Sequence, residues 1–147
     1  MIRVAAVTAA LVLFAAARAL AADATPIGVW STEDDKSHVK IEDCGGMLCG
    51  TIVWLKEPND DDGKPKVDIH NSNADMKARP ILGLPLLRSF VKSKDETGVW
   101  EEGKIYNPED GETYRCTLTL KDANTLRVRG YVGLPLLGKT QIWTRVE

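Results

Sequence analysis

Histidine is scarce in this chain, with only His38 and His70 among 147 residues. Two imidazoles cannot furnish a three-histidine catalytic zinc site, and no His-x-x-x-His pair is present. The three cysteines, Cys44, Cys49 and Cys116, include no Cys-x-x-Cys pair, so a thioredoxin-type redox motif is missing. Basic charge is not in excess, at 19 Lys and Arg against 21 Asp and Glu, which argues against nucleic acid or an anionic membrane surface as partner. No segment keeps a helical period, and past the N-terminus no apolar run approaches the roughly 20 residues of a membrane-spanning helix. No nucleophile motif, metal-ligand set or paired-acid motif stands out, so neither an enzyme nor a bound metal or cofactor is expected.

What is present begins with the first 22 residues. Met1-Ile2-Arg3 is a short basic start, residues 4–17 are apolar and free of acids, and Ala19-Leu20-Ala21 offers the small-x-small pattern that signal peptidase accepts. A secretory signal over residues 1–22 is therefore expected, with residues 23–147 exported as one mature domain to a bacterial periplasm. A membrane anchor would need a longer run than these roughly 14 residues. Losing Arg3 and Arg18 takes the 19 basic residues to 17 against 21 acids, a mature net charge of −4. About 125 residues suffice to bury a core.

Export favours disulfides. Cys44 and Cys49 flank Gly45-Gly46-Met47-Leu48, and a Gly-Gly turn between strand-like runs brings the two thiols opposite each other. A hairpin disulfide is expected there. Cys116 alternates with Tyr114, Leu118 and Leu120, as a buried free thiol would.

From Ile27 onward the pattern has the period of strands, cut by turn formers every eight to twelve residues. Eight strands are predicted, at 27–33, 37–43, 47–56, 84–92, 98–106, 112–120, 124–133 and 138–146. Short connections imply a meander, and eight strands suffice to close an up-and-down antiparallel barrel, so the fold class is all-β. One connection, 57–83, is long, polar and rich in turn residues, the kind of loop that carries function or is disordered. Up-and-down topology puts it at the same end as the turns near residues 34, 109 and 134, which makes that end the mouth. Strand three is apolar on both faces, Leu48, Ile52 and Trp54 on one and Cys49, Val53 and Leu55 on the other, so a cover for its outer side is expected.

Gly28-Val29-Trp30 on the first strand, with Trp143-Thr144-Arg145 on the last, resembles the calycin superfamily of lipocalins and fatty-acid-binding proteins. The resemblance implies that Trp30 packs under Arg145 to close the barrel floor. The mature chain more narrowly resembles the bacterial secreted family called domain of unknown function 2147. The matching residues include Leu48-Cys49-Gly50-Thr51-Ile52-Val53-Trp54-Leu55, Asp68-Ile69-His70-Asn71, Arg79-Pro80-Ile81-Leu82-Gly83-Leu84, Gly103-Lys104-Ile105-Tyr106-Asn107-Pro108, and Gly138 through Arg145. That likeness implies a fold and a location, and no activity.

Asp68, His70, Asn71 and Arg79 form the densest set of chemically capable side chains. They suit a polar head group at the mouth, or equally serve as turn caps and an ion pair that hold the loop down. Asp60-Asp61-Asp62-Gly63 is not an EF-hand: with Gly63 at the sixth position, Pro58 and Ile69 fall where the anchoring ligands belong. Gly83-Leu84-Pro85-Leu86-Leu87 recurs as Gly133-Leu134-Pro135-Leu136-Leu137. Leu84, Leu86, Leu134 and Leu136 are expected either as an apolar rim or folded inward as a plug. The leading expectation is non-catalytic binding of a small apolar or amphipathic ligand in the periplasm. The alternative is an envelope structural or protein-interaction module with a filled barrel and a protein partner.

Overall fold

The computed structural model describes residues 24–147; the expected signal peptide, residues 1–22, lies outside them. Eight strands follow in chain order: β1 (Gly28–Ser31), β2 (Ser37–Asp43), β3 (Leu48–Leu55), β4 (Pro85–Lys92), β5 (Val99–Asn107), β6 (Glu112–Asp122), β7 (Thr125–Tyr131) and β8 (Lys139–Arg145). Every strand pairs antiparallel with its sequence neighbour, and β1 pairs with β8 through Trp30–Arg145 and Ser31–Thr144, so the sheet closes. The up-and-down barrel expected from the turn spacing is thus the architecture found. Closure removes both sheet edges, which is why eight short strands make a stable unit. Single 3-10 turns at Glu33–Asp35, Ala74–Met76 and Pro135–Leu137 lie between strands, where the sequence pattern indicates only loops. Among the described residues no helix is long and apolar enough to cross a membrane.

The floor carries the contact that the calycin likeness implies. The Arg145 guanidinium lies 4.3 Å from the Trp30 ring centroid, a cation-π distance. Its nitrogens also donate to the carbonyls of Thr25, Ile27 and Ala123, at 2.9, 2.7 and 2.6 Å, tying both ends of the described chain to the β6–β7 hairpin. Trp30 is fully buried, its indole N–H donating to the Pro26 carbonyl at 2.7 Å.

Cys44 and Cys49 are joined by a disulfide across the β2–β3 hairpin, at a Cα separation of 5.9 Å. They are only five positions apart in sequence, so the cross-link removes little chain entropy from the unfolded state. Replacing both by Ser should cost about 2 kcal/mol and leave the barrel folded, as a urea titration would report. Cys116 is buried and free, and burial pushes its thiol up to about 12. At neutral pH it is an inert core group.

The central residues of the barrel pack against one another with almost no exposed surface. Trp30, Val39, Ile41, Leu87, Phe90, Cys116, Leu118, Leu126 and Trp143 are all essentially fully buried and belong to one continuous cluster. Phe90 crosses to β5 above Gly103, where a Cβ would overlap its ring, so glycine makes the room that the phenyl group fills. Two depressions lie on the surface, one at the floor among residues 92–98, Trp100, Leu120, Asp122 and Ala123, the other on the outer wall beside Gly103. Neither is lined by Trp30, Phe90, Leu118 or Trp143.

Strand three departs from the expected pattern. Ile52 faces the core, but the register shifts between His38 and Val39 opposite, and Val53 and Trp54 both lie outside, 43% and 39% exposed. The bulge reverses side-chain parity, so Leu55 turns back to the core and Trp54 stacks on the His38 ring at 4.3 Å. Among the described residues the long loop, one of the two covers expected for this strand beside a partner chain, leaves Val53 and Trp54 exposed, while Leu55, one of the three residues of the second apolar face, points inward after the bulge.

Candidate functional site

The long connection is ordered and caps the mouth. Short bridges pair Asn59 with Pro65 and Val67 with Pro80, Ile81 packs on the core, and the chain rejoins the barrel where Gly83 and Leu84 exchange backbone bonds with Ile52. Such a segment lacks the apolar alternation that would make it a strand, so polar side chains must satisfy its backbone and hold it in place.

Asp68 is the centre of that scaffold, with no exposed surface. Its Oδ1 accepts the Tyr106 hydroxyl at 2.7 Å; its Oδ2 accepts Asn71 Nδ2 at 2.8 Å and Arg79 Nε at 2.9 Å. Its backbone N–H donates to the Arg79 carbonyl at 2.9 Å. Asn71 is likewise committed, its Oδ1 accepting the Asn73 N–H at 2.8 Å. The Arg79 guanidinium lies 5.3 Å from the Tyr106 ring centroid. Burial works to raise the Asp68 carboxyl, but donation from Asn71, Tyr106 and Arg79 outweighs it and holds the group below its ordinary 3.8. Burial, and then the neighbouring carboxylate, push the Tyr106 phenol above its ordinary 10.0. No buried side-chain N or O among the described residues is left without a partner.

The structure brings three of the four loop residues together. Asp68, Asn71 and Arg79 form a satisfied network with Tyr106, and a carboxylate whose oxygens meet three donors has little capacity left for a head group or a substrate proton. His70 is exposed and stands apart from them, with its carbonyl against Gly111 in the β5–β6 turn. A Cβ at Gly111 would collide with that carbonyl, and φ there is +75°, so glycine lets loop and turn meet. Tyr106 is the member the sequence does not single out; its place in Gly103-Lys104-Ile105-Tyr106-Asn107-Pro108 was the available signal.

The two apolar pentapeptides differ in fate. Leu84 and Leu86 are buried in the core, not on a rim, because the first copy enters β4 along the backbone of β3. Leu134 and Leu136 are exposed, with Leu137 and Val132, on the β7–β8 connection. That flap contains the 3-10 turn Pro135–Leu137, in which Leu136 and Leu137 face solvent.

A second polar cluster lies on the outer side of the mouth. Asp35 Oδ1 accepts the Ser31 hydroxyl at 2.5 Å and contacts His38 Nε2 at 3.1 Å. The hydroxyl bonds the carboxylate rather than the imidazole, the reverse of what a serine nucleophile needs. Donation from Ser31, then from His38, lowers the Asp35 carboxyl. Across the mouth, Lys36 pairs with Glu109 at 4.0 Å. Among the described residues no group of three or more His, Cys, Asp or Glu is placed to hold a metal.

Comparison with known proteins bears on the family and the fold. The bacterial family described as uncharacterized protein conserved in bacteria (DUF2147) matches residues 28–145. A solved structure, described as protein HP1028 from the human pathogen Helicobacter pylori belonging to the lipocalin family, superposes with a TM-score of 0.71 over 82% of each chain at 23% identity. No curated protein matches the chain in sequence.

Proposed function

The chain belongs to the DUF2147 family of uncharacterized bacterial proteins, and from that premise we propose a non-catalytic recognition module of the periplasm that meets its target with the outside of the barrel's mouth end. The observation that carries this reading is the filled interior. An eight-stranded barrel is just wide enough either to be packed by its own side chains or to hold one small ligand, and here Trp30, Phe90, Leu118 and Trp143 occupy the centre. The same end presents the exposed leucines of the β7–β8 flap, apolar surface that folding alone does not require. The polar networks of the mouth hold loops in place and leave no hydroxyl–imidazole pair for acyl transfer. The N-terminal signal pattern and the Cys44–Cys49 disulfide support export.

The likeness to a lipocalin-family structure favours a second reading, a small apolar or amphipathic ligand taken into the barrel. That reading needs central side chains to move aside. Native mass spectrometry of the protein purified from periplasm, followed by solvent extraction, separates the two. The expected result is a bare polypeptide, lighter than its reduced form by the two hydrogens of one disulfide. A stoichiometric small molecule of uniform mass would instead move the function to the interior.

A further inference from the structure

The outer wall carries a charge pattern that folding does not use. Cross-strand register sets Arg88 opposite Lys104 and Lys104 opposite Arg115, three cations in one row over β4, β5 and β6. On β7, Arg127 stands opposite Thr119, four residues nearer the floor than Arg115, and lies off this row. Like charges facing each other across strands about 5 Å apart repel, so this row weakens the sheet that bears it. Arg88, Lys104 and Arg115 are exposed, and neither they nor Arg127 meet an acid within ion-pair distance among the described residues.

Next to this wall stands the flap. Val132, Leu134, Leu136 and Leu137 are each between 67% and 84% exposed. Wall and flap are physically joined: the Arg129 guanidinium donates to Thr140 Oγ1 at 2.7 Å and to the Leu136 carbonyl at 3.3 Å, and Tyr131, at the flap's root, pairs with Arg115.

We propose that this wall and flap dock the protein on an anionic lipid bilayer, with the leucines entering the headgroup region and the cation row facing the lipid phosphates. The partner follows from the two features together. A bilayer offers a plane of negative charge with an apolar layer just beneath it, which matches unpaired cations beside a raised apolar loop. A soluble polyanion would use the row and leave the leucines in water. The acids at residues 33–35 and 60–62 lie on other connections of the same mouth end, and Glu109 there is paired with Lys36, so the contact is carried by the wall below the flap. Over a screening length of about 10 Å the local wall matters more than the total. Glu101 and Glu102 border the row across the depression beside Gly103 and mark its edge.

The proposal rests on recognition by the exterior, and vesicle co-flotation tests it. Protein purified after export is floated with phosphatidylcholine vesicles and with vesicles that also contain phosphatidylglycerol. Binding should require phosphatidylglycerol and weaken as salt rises. The triple variant R88Q/K104Q/R115Q should bind about a hundredfold more weakly, at about fivefold per cation lost. The same changes remove like-charge repulsion, so thermal stability should hold or rise, which separates lost docking from misfolding. L134S/L136S/L137S should lose binding to the same vesicles. Equal binding by the charge variant, indifference to phosphatidylglycerol, or binding to dextran sulfate as tight as to vesicles would overturn the proposal. A protein cross-linked at the flap while vesicles are ignored would also overturn it, yet leave exterior recognition standing. A small molecule found inside the barrel by mass spectrometry would strike at exterior recognition itself.

Discussion

Asp68→Ala should destabilise the protein by about 3–5 kcal/mol, the range for removing one partner of a buried, hydrogen-bonded ion pair. The reason lies in what stays behind. The Tyr106 hydroxyl, Asn71 Nδ2 and Arg79 Nε all donate to this one carboxylate, and its removal strands three donors, one of them charged. In a domain of this size the loss corresponds to a melting point lower by about 10–20 °C. Thermal denaturation followed by circular dichroism would measure it; a drop under 1 kcal/mol would mean that the long loop is not anchored through Asp68.

The same cluster fixes the sign of two pH effects. The Asp68 carboxyl is depressed in the fold, so its contribution is present above the ordinary value of 3.8 and is lost as pH falls through the folded value. The Tyr106 phenol is raised, so its contribution is present below the ordinary 10.0 and is lost as pH rises past it. The loop anchor is thus at full strength between about pH 4 and pH 10, and Asp68→Ala should flatten the acid side of the stability profile.

Period-two alternation and turn residues carried nearly all of the barrel, because side chains on a closed sheet must choose between core and water. Alternation could not show where it is interrupted. The bulge that sends Val53 and Trp54 outward together depends on how β2 meets β3, a property of a strand pair. Ser89 and Glu102, both with positive φ on adjacent strands, lie at similar breaks that nothing in their local sequence announces. Asp68, Asn71 and Arg79 stood out because polar side chains crowd one loop, but Tyr106 is 38 residues from Asp68 and joins it only once the barrel closes.

The repeated Gly-Leu-Pro-Leu-Leu segment makes the limit plain. Identical residues become the buried start of a strand at Leu84, Leu86 and Leu87 and a flap whose Leu134, Leu136 and Leu137 face solvent. The first copy lies along β3, with Gly83 N–H donating to the Ile52 carbonyl at 2.8 Å, whereas the second closes on itself through Leu137 N–H and the Leu134 carbonyl at 3.1 Å. Local chemistry offered both outcomes, and the available backbone partner decided between them.

Phe90→Ala should cost about 3–5 kcal/mol, the range for deleting a phenyl group from a packed core. Its surroundings favour the upper part of that range. Across from it stands Gly103, which has no side chain to move into the vacated space, and the neighbouring core residues are already fully buried. The void should remain dry and apolar and should admit a small guest such as benzene, which the unaltered protein should not take up. Chemical denaturation would measure the cost, and the chemical shift changes of core methyl groups on adding benzene would report entry. If the unaltered barrel already admits benzene, its centre is more yielding than its packing implies, and an interior ligand becomes the better reading of the fold. If only the variant does, an eight-stranded shell of this kind is kept from binding inside by one phenyl group meeting one glycine, and recognition is left to the surface.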